Sequence, residues 1–459
     1  MAAEALLDPL RERVLEGMRA LPFEEIYEVG GSLRDQLLGR PVKDVDFLVR
    51  GHGIDELVAV LRRYGSADEL RVAGRLVGVR FRPPFGPKEG IEVVAPRREQ
   101  AIRPGEPDYT GNPHTDFRIE PDPNLPVRDD LERRDFTVNA MARDIRSGEW
   151  VDPFGGRDDL AAGILRAVHP TAFRDDPLRI LRGIARRACD GLIPEPRTLA
   201  LMRAEAPRIA GLSAERVRET IDQTLSGAFA ADALRLARDI GALESALPEW
   251  QACVGVPQSS ATQAYTVDEH ILHVLEQAVP RDASLVVRLA ALWHDAGKPF
   301  AEGPKSHAER GARLADRAMR RLAYDNDTRL AVVHLVREHP YGEELDPSPQ
   351  SARRFLARVG REAAPDLLLL RRCDRLGRGF PQPADELRRR DRFEDLVAAE
   401  WESPITRGEL AVTGDDLLAA GLPGGPGLGK ILAALLDAVV EDPARNTYDE
   451  LLQLAQAAA

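Results

Sequence analysis

Along the first 145 residues, short apolar runs alternate with polar turns. IYEV, DVDFLVR, RVAGRLVGVRF and GIEVVA have the length and β-branched content of strands, and IDELVAVLRRYG between two of them has helical spacing. This pattern predicts a small α/β domain. Beyond residue 145, apolar positions recur at helical spacing almost to the end, so the rest of the chain is expected to be helical. Residues 101–126, AIRPGEPDYTGNPHTDFRIEPDPNLP, are rich in proline, glycine and aspartate and predict a long mobile loop over whatever site the first domain carries. LPGGPGLGK at 422–430 lacks a Ser or Thr after its Lys and has no strand before it. It is read as a structural turn that breaks the last helices.

The densest chemistry lies between Glu28 and Val49, EVGGSLRDQLLGRPVKDVDFLV. Gly30 and Gly31 end one apolar segment and open an amphipathic run, where free backbone N–H groups at a helix start can meet a triphosphate. Ser32 and Arg34 add a hydroxyl and a cation. Asp44 and Asp46, two apart on a strand, point to one face and can hold divalent cations together. Glycine pairs and DxD triplets are each common and each is more often a tight turn or a pair of solvated acids. Their joint occurrence at short β-α-β spacing points to metal-assisted nucleotidyl transfer, in which positioning and charge neutralisation do most of the work.

Downstream, RRDFTVNAMARD supplies Arg133, Arg134, Asp135 and Asn139, a set that can reach phosphates and ribose hydroxyls. DPFGGRDDL, 152–160, reads as a turn that ends the first domain. In FRDDPLRILRGIARRAC, Asp176 and Arg179 are three apart on an expected helix, with Pro177 in its first turn. A carboxylate beside a guanidinium can read the edge of a base, although a surface salt bridge is the commoner use of such a pair.

Composition sets limits. The 459 residues suffice for roughly three domains. No apolar run reaches membrane-spanning length, and the start lacks a basic segment followed by an apolar core, so a cytoplasmic enzyme is expected. Cys189, Cys253 and Cys373 have neither disulfide nor zinc-ligand spacing. The net charge of −12 repels nucleic acid overall, so a polyanion needs a local basic face. From Arg179 to Arg218, nine arginines face four acids, which marks either such a face or a set of solvated helix surfaces.

The ordered set GGSLRD, DVDF, RRDFTVNA, DPFGG, DDPLR and SAERVRE closely resembles the class II tRNA nucleotidyltransferase (CCA-adding) and bacterial poly(A) polymerase family, over about residues 24–220. The resemblance implies an α+β protein: a small mixed-sheet, polymerase-beta-like nucleotidyltransferase head at 1–145, then a helical neck and RNA-binding region at 146–255. It implies Mg²⁺ on Asp44 and Asp46, triphosphate contacts from Gly30, Gly31, Ser32 and Arg34, and nucleotide contacts from Arg133, Arg134, Asp135 and Asn139. Asp176, Arg179 and Arg182 fall where the family carries a protein template that pairs with the incoming C or A. The family has Glu-Asp where this chain has Asp175-Asp176, and the shorter Asp175 is expected to orient Arg179 less well. Glu92 lies on a strand suited to a third metal-binding acid. Glu215, Arg216 and Arg218 match the last head-to-neck motif.

LAALWHDAGKP carries a second signature. His270, the adjacent His294 and Asp295, and Asp374 have the H, HD, D order that resembles the HD phosphohydrolase superfamily. That implies an HD domain at 256–380 with a second divalent metal, and a helical tail at 381–459. Imidazoles and carboxylates from separate helices can close around one ion and activate water. His307 and His339 are plausible further ligands or phosphate contacts; His273 and His334 match less well.

The expected activity is therefore CCA synthesis or repair on the 3′ end of tRNA from CTP and ATP. Poly(A) synthesis shares every head motif, and the sequence leaves full CCA, CC-only and A-only addition open, as it does the oligomeric state. The loop before RRDFT is not visibly shortened, which favours addition of the terminal A. A protein uridylyltransferase lacks the RRDFTVNA and DDPLR set, and intact Asp44 and Asp46 speak against a non-catalytic RNA-binding module.

Overall fold

The computed structural model describes residues 9–458 except 43, 73, 104, 112–115, 259–262, 302–305, 342–345 and 382. It divides into two compact units, Met1–Pro248 and Glu249–Ala459.

In the first unit, strands β1 (Glu25–Val29), β2 (Asp46–Arg50), β3 (Ser66–Val72), β4 (Arg75–Arg82) and β5 (Ile91–Val94) are joined by the later β8 (Ala142–Asp144) and β9 (Trp150–Val151). The seven form one sheet in the order β3-β4-β5-β2-β1-β8-β9; β6 (Arg97–Ala101) and β7 (Phe117–Pro121) make a separate antiparallel hairpin. The central strand β2 runs antiparallel to β1 and parallel to β5, so the sheet is mixed. Alternation along β2 sends Phe47 and Val49 into one core, with Val14, Met18, Ile26, Leu57 and Phe81. Leu48 enters a second core on the other face, with Val29, Val127, Leu131 and Ala140. A strand buried on both faces must be internal, and its register fixes what its first residue, Asp46, looks at.

The helices of this unit are α1 (Pro9–Arg19), α2 (Gly31–Leu37), α3 (Ile54–Leu61), α4 (Val127–Glu132), α5 (Gly156–Ala161), α6 (Ala172–Asp175), α7 (Leu178–Asp190), α8 (Pro196–Glu205), α9 (Ala214–Ser226), α10 (Ala230–Asp239) and α11 (Ala242–Ala246). Ile180, Leu181, Ile184, Ala185 and Ala188 form the buried apolar stripe of α7, which packs on α9 and α10. The second unit is helical: α12 (Val267–Ala278), α13 (Leu285–Trp293), α14 (Ser306–Arg321), α15 (Asn326–Glu338), α16 (Pro349–Val359), α17 (Ala364–Leu376), α18 (Ala384–Ala399), α19 (Gly414–Ala419), α20 (Pro426–Glu441) and α21 (Tyr448–Ala457). In this unit Leu417, Leu435, Val439 and Leu451 centre a separate core near its end.

Four local expectations need correction. RVAGRLVGVRF is two antiparallel strands, because Gly74, at φ 76°, turns the chain between β3 and β4. A turn this short leaves the alternation of polar and apolar residues almost unbroken. Asp44 precedes β2 rather than lying on it. Within 101–126, Phe117–Pro121 forms β7, while residues 104 and 112–115 lie outside the described residues. At 422–430, the chain turns at Gly425, φ 110°, and PGLGK already belongs to α20.

The DPFGG segment shows how the fold supports the site beneath it. Asp152 accepts the N–H groups of Gly156 (2.7 Å) and Arg157 (3.0 Å), starting α5. A Cβ on Gly156 would lie 2.1 Å from the Thr137 carbonyl oxygen. Gly156→Ala should therefore cost about 1–3 kcal/mol through backbone displacement, seen as a lower urea midpoint at an unchanged slope.

Candidate active site and a second metal-binding cluster

Register brings the head acids together. Asp46 is the Cα partner of Val29 on one side and of Glu92 on the other, so the end of β1 just before the GG turn and the third acid flank it. Burial, then the charge of Glu92 and of Asp44, pushes the Asp46 carboxyl up to about 6, with Arg134 and Arg80 pulling the other way. Glu92 is ion-paired with Arg80 across β4 and β5. A buried carboxylate held beside two further acids is a donor set whose charge a divalent cation relieves, so the residues present fit such an ion.

The GG turn sits beside them. Gly30 has φ 82° at the N-cap of α2, a conformation suited to glycine, and a Cβ there would meet Arg134 Nη1 at 3.0 Å. Arg134 donates to the Asn139 carbonyl (3.2 Å), and its buried Nε–H has no hydrogen-bond partner. Of the predicted nucleotide-binding arginines, Arg134 is the one placed with unused donor capacity near Asp46. Ser32 is buried and lies 3.5 Å from the Val29 carbonyl.

The other arginines are already engaged. Arg34 donates to Asn139 Oδ1 (2.7 Å) and to Asp35 (2.8 Å). Arg133 forms a two-point pair with fully buried Asp130 (3.0 and 3.2 Å) and reaches Glu99 (2.9 Å). This network also holds Arg97, whose guanidinium is 2.7 Å from Glu99. Arg133 thus anchors α4 to the β6–β7 hairpin in this structure. Asn139 gives its amide to Asp135 (3.0 Å), and Asp135 faces Arg182 of α7 at 2.9 Å.

Asp176 is not on a helix with Arg179, as the spacing suggested. It lies in extended backbone between α6 and α7, accepting the Leu178 N–H (3.0 Å) as a cap, with Arg179 Nε 3.9 Å from its other oxygen. The two side chains still meet. Arg179 is held by the Arg133 carbonyl (2.7 Å), so the Asp176–Arg179 pair is tied to the RRDFT segment. Asp175 does not touch Arg179; it takes Arg103 (2.8 Å) and the Thr171 hydroxyl (2.5 Å). A cavity of about 450 Å³ opens beside it, lined in part by Tyr109, Asp116, Arg174 and Arg208. Of the nine arginines between 179 and 218, Arg179, Arg182, Arg186, Arg187 and Arg208 are committed to protein partners.

In the second unit, His270 from α12, His294 and Asp295 at the end of α13 and Asp374 from α17 offer ligand atoms that all lie within 4.8 Å of one another. His270 Nε2 is 2.9 Å from Asp374, 3.3 Å from Asp295 and 3.3 Å from His294 Nε2. Burial disfavours charge on His270, but hydrogen bonds to Asp295 and Asp374 outweigh it and raise its pKa to about 9. Asp295 and Asp374 are held well below the usual carboxylate range despite their burial, by these histidines and by Lys298 and Arg378. Ring nitrogens converging with two carboxylates fit a divalent cation. His307 and His339, 3.1 Å apart, join Asp295 in a second such group. His273 pairs with Glu276 and His334 bonds the Val359 carbonyl, away from both groups. Among the described residues these two are the groups with ligand atoms all within 4.8 Å, so the head acids are more widely spaced.

Sequence reasoning missed Arg80, Arg103 and Asp190. Each matters through a partner 12 or more positions away, and no local spacing marks it.

What converges in the first unit is charge and hydrogen-bonding capacity matched to a nucleoside triphosphate, which defines the class: a nucleotidyltransferase. The Poly A polymerase head domain profile matches residues 26–166, a profile described as "Probable RNA and SrmB- binding site of polymerase A" matches 191–253, and tRNA nucleotidyltransferase domain 2 matches 315–455. The chain is 36% identical to the Multifunctional CCA protein of Pseudomonas aeruginosa (strain LESB58), over 82% of this chain and 83% of that protein. It is 37% identical to that of Azoarcus sp. (strain BH72), over 83% and 88%. Its fold matches the CCA-adding enzyme of Bacillus stearothermophilus solved with CTP, at TM-score 0.70 and 24% identity, over 99% and 98% of the two chains. The chain belongs to the class II tRNA nucleotidyltransferase family of CCA-adding enzymes. Enzymes of this family use divalent metals, and the chain has acidic and histidine groups able to hold them.

The histidine cluster is testable without any activity assay. Full-length protein incubated with Ni²⁺ and desalted should retain metal by elemental analysis, and His270→Ala or His294→Ala should lower the retained amount at least tenfold. Equal retention in all three would remove the cluster as the site.

Proposed function

We propose that the protein adds C and A to the 3′ end of tRNA from CTP and ATP, making or repairing CCA with release of pyrophosphate. The observation that carries this reading is the placing of Asp46, beside Glu92 and Gly30, in the same unit as the Asp176–Arg179 pair. The relatives' printed names and the CTP complex of the Bacillus enzyme agree with it. Asp44 and Asp46, with Glu92, would hold Mg²⁺, which supplies charge neutralisation to the triphosphate and to the leaving pyrophosphate. Gly30, Gly31 and Ser32 shape the turn against which the triphosphate rests, and Arg134 donates to it. Asp176 and Arg179 offer an acceptor and donors to the base edge. The RNA 3′ oxygen bonds to the α-phosphorus, the bond to the bridging oxygen breaks, pyrophosphate leaves with that oxygen, and the hydroxyl proton passes to water. Poly(A) synthesis is the second reading, favoured by the head-domain profile; long A tracts on non-tRNA substrates would select it.

For the second unit we infer an HD-type phosphoesterase with a divalent metal on His270, His294, Asp295 and Asp374 and a further position at His307 and His339. A cytoplasmic location suits a tRNA substrate, and among the described residues no helix is long and apolar enough to cross a membrane.

Purified protein should extend tRNA lacking CCA, tRNA ending in C and tRNA ending in CC, with CTP and ATP each incorporated only at its own positions. Asp46→Asn should lower incorporation about a thousandfold or more while tRNA affinity stays within a few-fold; full activity in that variant would sink the active-site assignment. Arg179→Ala should disturb the choice between CTP and ATP about 10- to 100-fold, more than it weakens RNA binding. Equal loss for both nucleotides together with weaker RNA binding would make Arg179 structural.

A further inference from the structure

Helix α7 begins next to the base-reading pair and ends at Asp190. Positions 179, 182, 186 and 190 follow one another at helical spacing, so they share one face of the helix. Each of them is engaged. Arg179 reaches the Arg133 carbonyl (2.7 Å), Arg182 faces Asp135 (2.9 Å), and Arg186 pairs with Asp190 (2.9 Å). The Asp190 side chain is fully buried and also receives Arg40, while Arg34 Nε lies 3.5 Å away. Arg40 in addition donates to the Cys189 carbonyl (3.0 Å). Arg34 and Arg40 belong to the segment that begins at the GG turn.

We infer that Asp190 is a positioning residue for base selection: it fixes the far end of the template helix to the α2 segment that carries the triphosphate turn. The argument is geometric and rests on the nucleotidyltransferase reading above. A nucleotide reaches from the GG turn to the Asp176–Arg179 pair, so both ends are read correctly only when α7 keeps one rotation and one height relative to α2. Pins at Arg179 and Arg182 hold the reading end. Asp190 lies 11 residues on, roughly 16 Å along the helix axis, where a pin most strongly limits tilt and roll of the reading end. A second path closes the loop: Arg34 bonds Asn139, Asn139 bonds Asp135, and Asp135 faces Arg182. Asp190 acts through Arg34, Arg40 and Arg186 and is not itself among the groups assigned to the nucleotide.

The test measures, on full-length enzyme and one tRNA substrate, kcat/KM for the correct nucleotide against UTP and GTP. Asp190→Asn, shown to be folded by its melting profile, should raise relative misincorporation about tenfold with tRNA affinity unchanged. In an Arg179→Ala background the same change should add nothing to misincorporation, a non-additivity that general destabilisation does not produce. Equal slowing of all three nucleotides, or additive effects in the double variant, would overturn the inference. Should Asp190→Asn fail to fold, Arg40→Ala removes one tether from a partly exposed side chain and should shift the ratio about threefold in the same direction; an unchanged ratio overturns it equally. Failure of the functional reading is separate: if wild-type enzyme extends another RNA instead of tRNA, the same nucleotide ratios are measured on that RNA.

Discussion

The first unit depends on the register of β2. That strand is internal, with Phe47 and Val49 in one core and Leu48 in the other, so a slip of one residue would drive its whole apolar set to the wrong face. The same register puts Asp46 opposite Val29 and Glu92. Packing therefore sets where Asp46 and Glu92 lie, and the cost of burying Asp46 beside other acids, visible in its raised pKa, is tolerated because several buried apolar side chains hold the strands in place. A local electrostatic cost of this kind persists where the surrounding structure over-determines it.

From that fixed edge, polar contacts carry the geometry outward. The chain Arg34, Asn139, Asp135, Arg182 crosses from α2 to α7 through side chains that are mostly buried. Leaving buried Arg34, Asn139 or Asp135 without its partner strands a charge or amide with nothing to satisfy it, which costs more than the intact pair contributes. The network consequently behaves as a unit, and its value lies in specifying one arrangement of α2 and α7. The Arg133, Asp130 and Glu99 group does the same for the β6–β7 hairpin.

Legibility in the sequence followed range. The GG turn, the acids and the helical second half were readable because periodicity and turn chemistry are local, and the H, HD, D order placed His270, His294, Asp295 and Asp374 in one cluster, with His307 and His339 beside them. The β3–β4 hairpin was missed because Gly74 turns the chain without breaking the pattern. Asp176 and Arg179 meet, but through a capping turn rather than along a helix. Arginine commitments were invisible: Arg34 meets Asn139 across 105 positions and Arg40 meets Asp190 across 150, and nothing near either residue announces the partner.

Those commitments bear on how a chain of net charge −12 can take a polyanion. The arginines nearest the site are not a free basic patch; Arg34, Arg133 and Arg182 already face carboxylates. Much of the cost of ordering them, and for Arg34 and Arg133 of desolvating them, has been met in folding, so on the proposed function they would meet a nucleotide preorganised. A triphosphate cannot simply add to such a balanced set. Arg134, with a buried Nε–H unpartnered, is placed to meet it directly, while the others would have to exchange partners or act through their field. On the proposed function, a highly charged nucleotide then calls for positive charge from outside the chain, and Asp44, Asp46 and Glu92 are the groups that would hold it as a divalent cation. On that reading the acids, more than the arginines, would make the site receptive to a nucleotide.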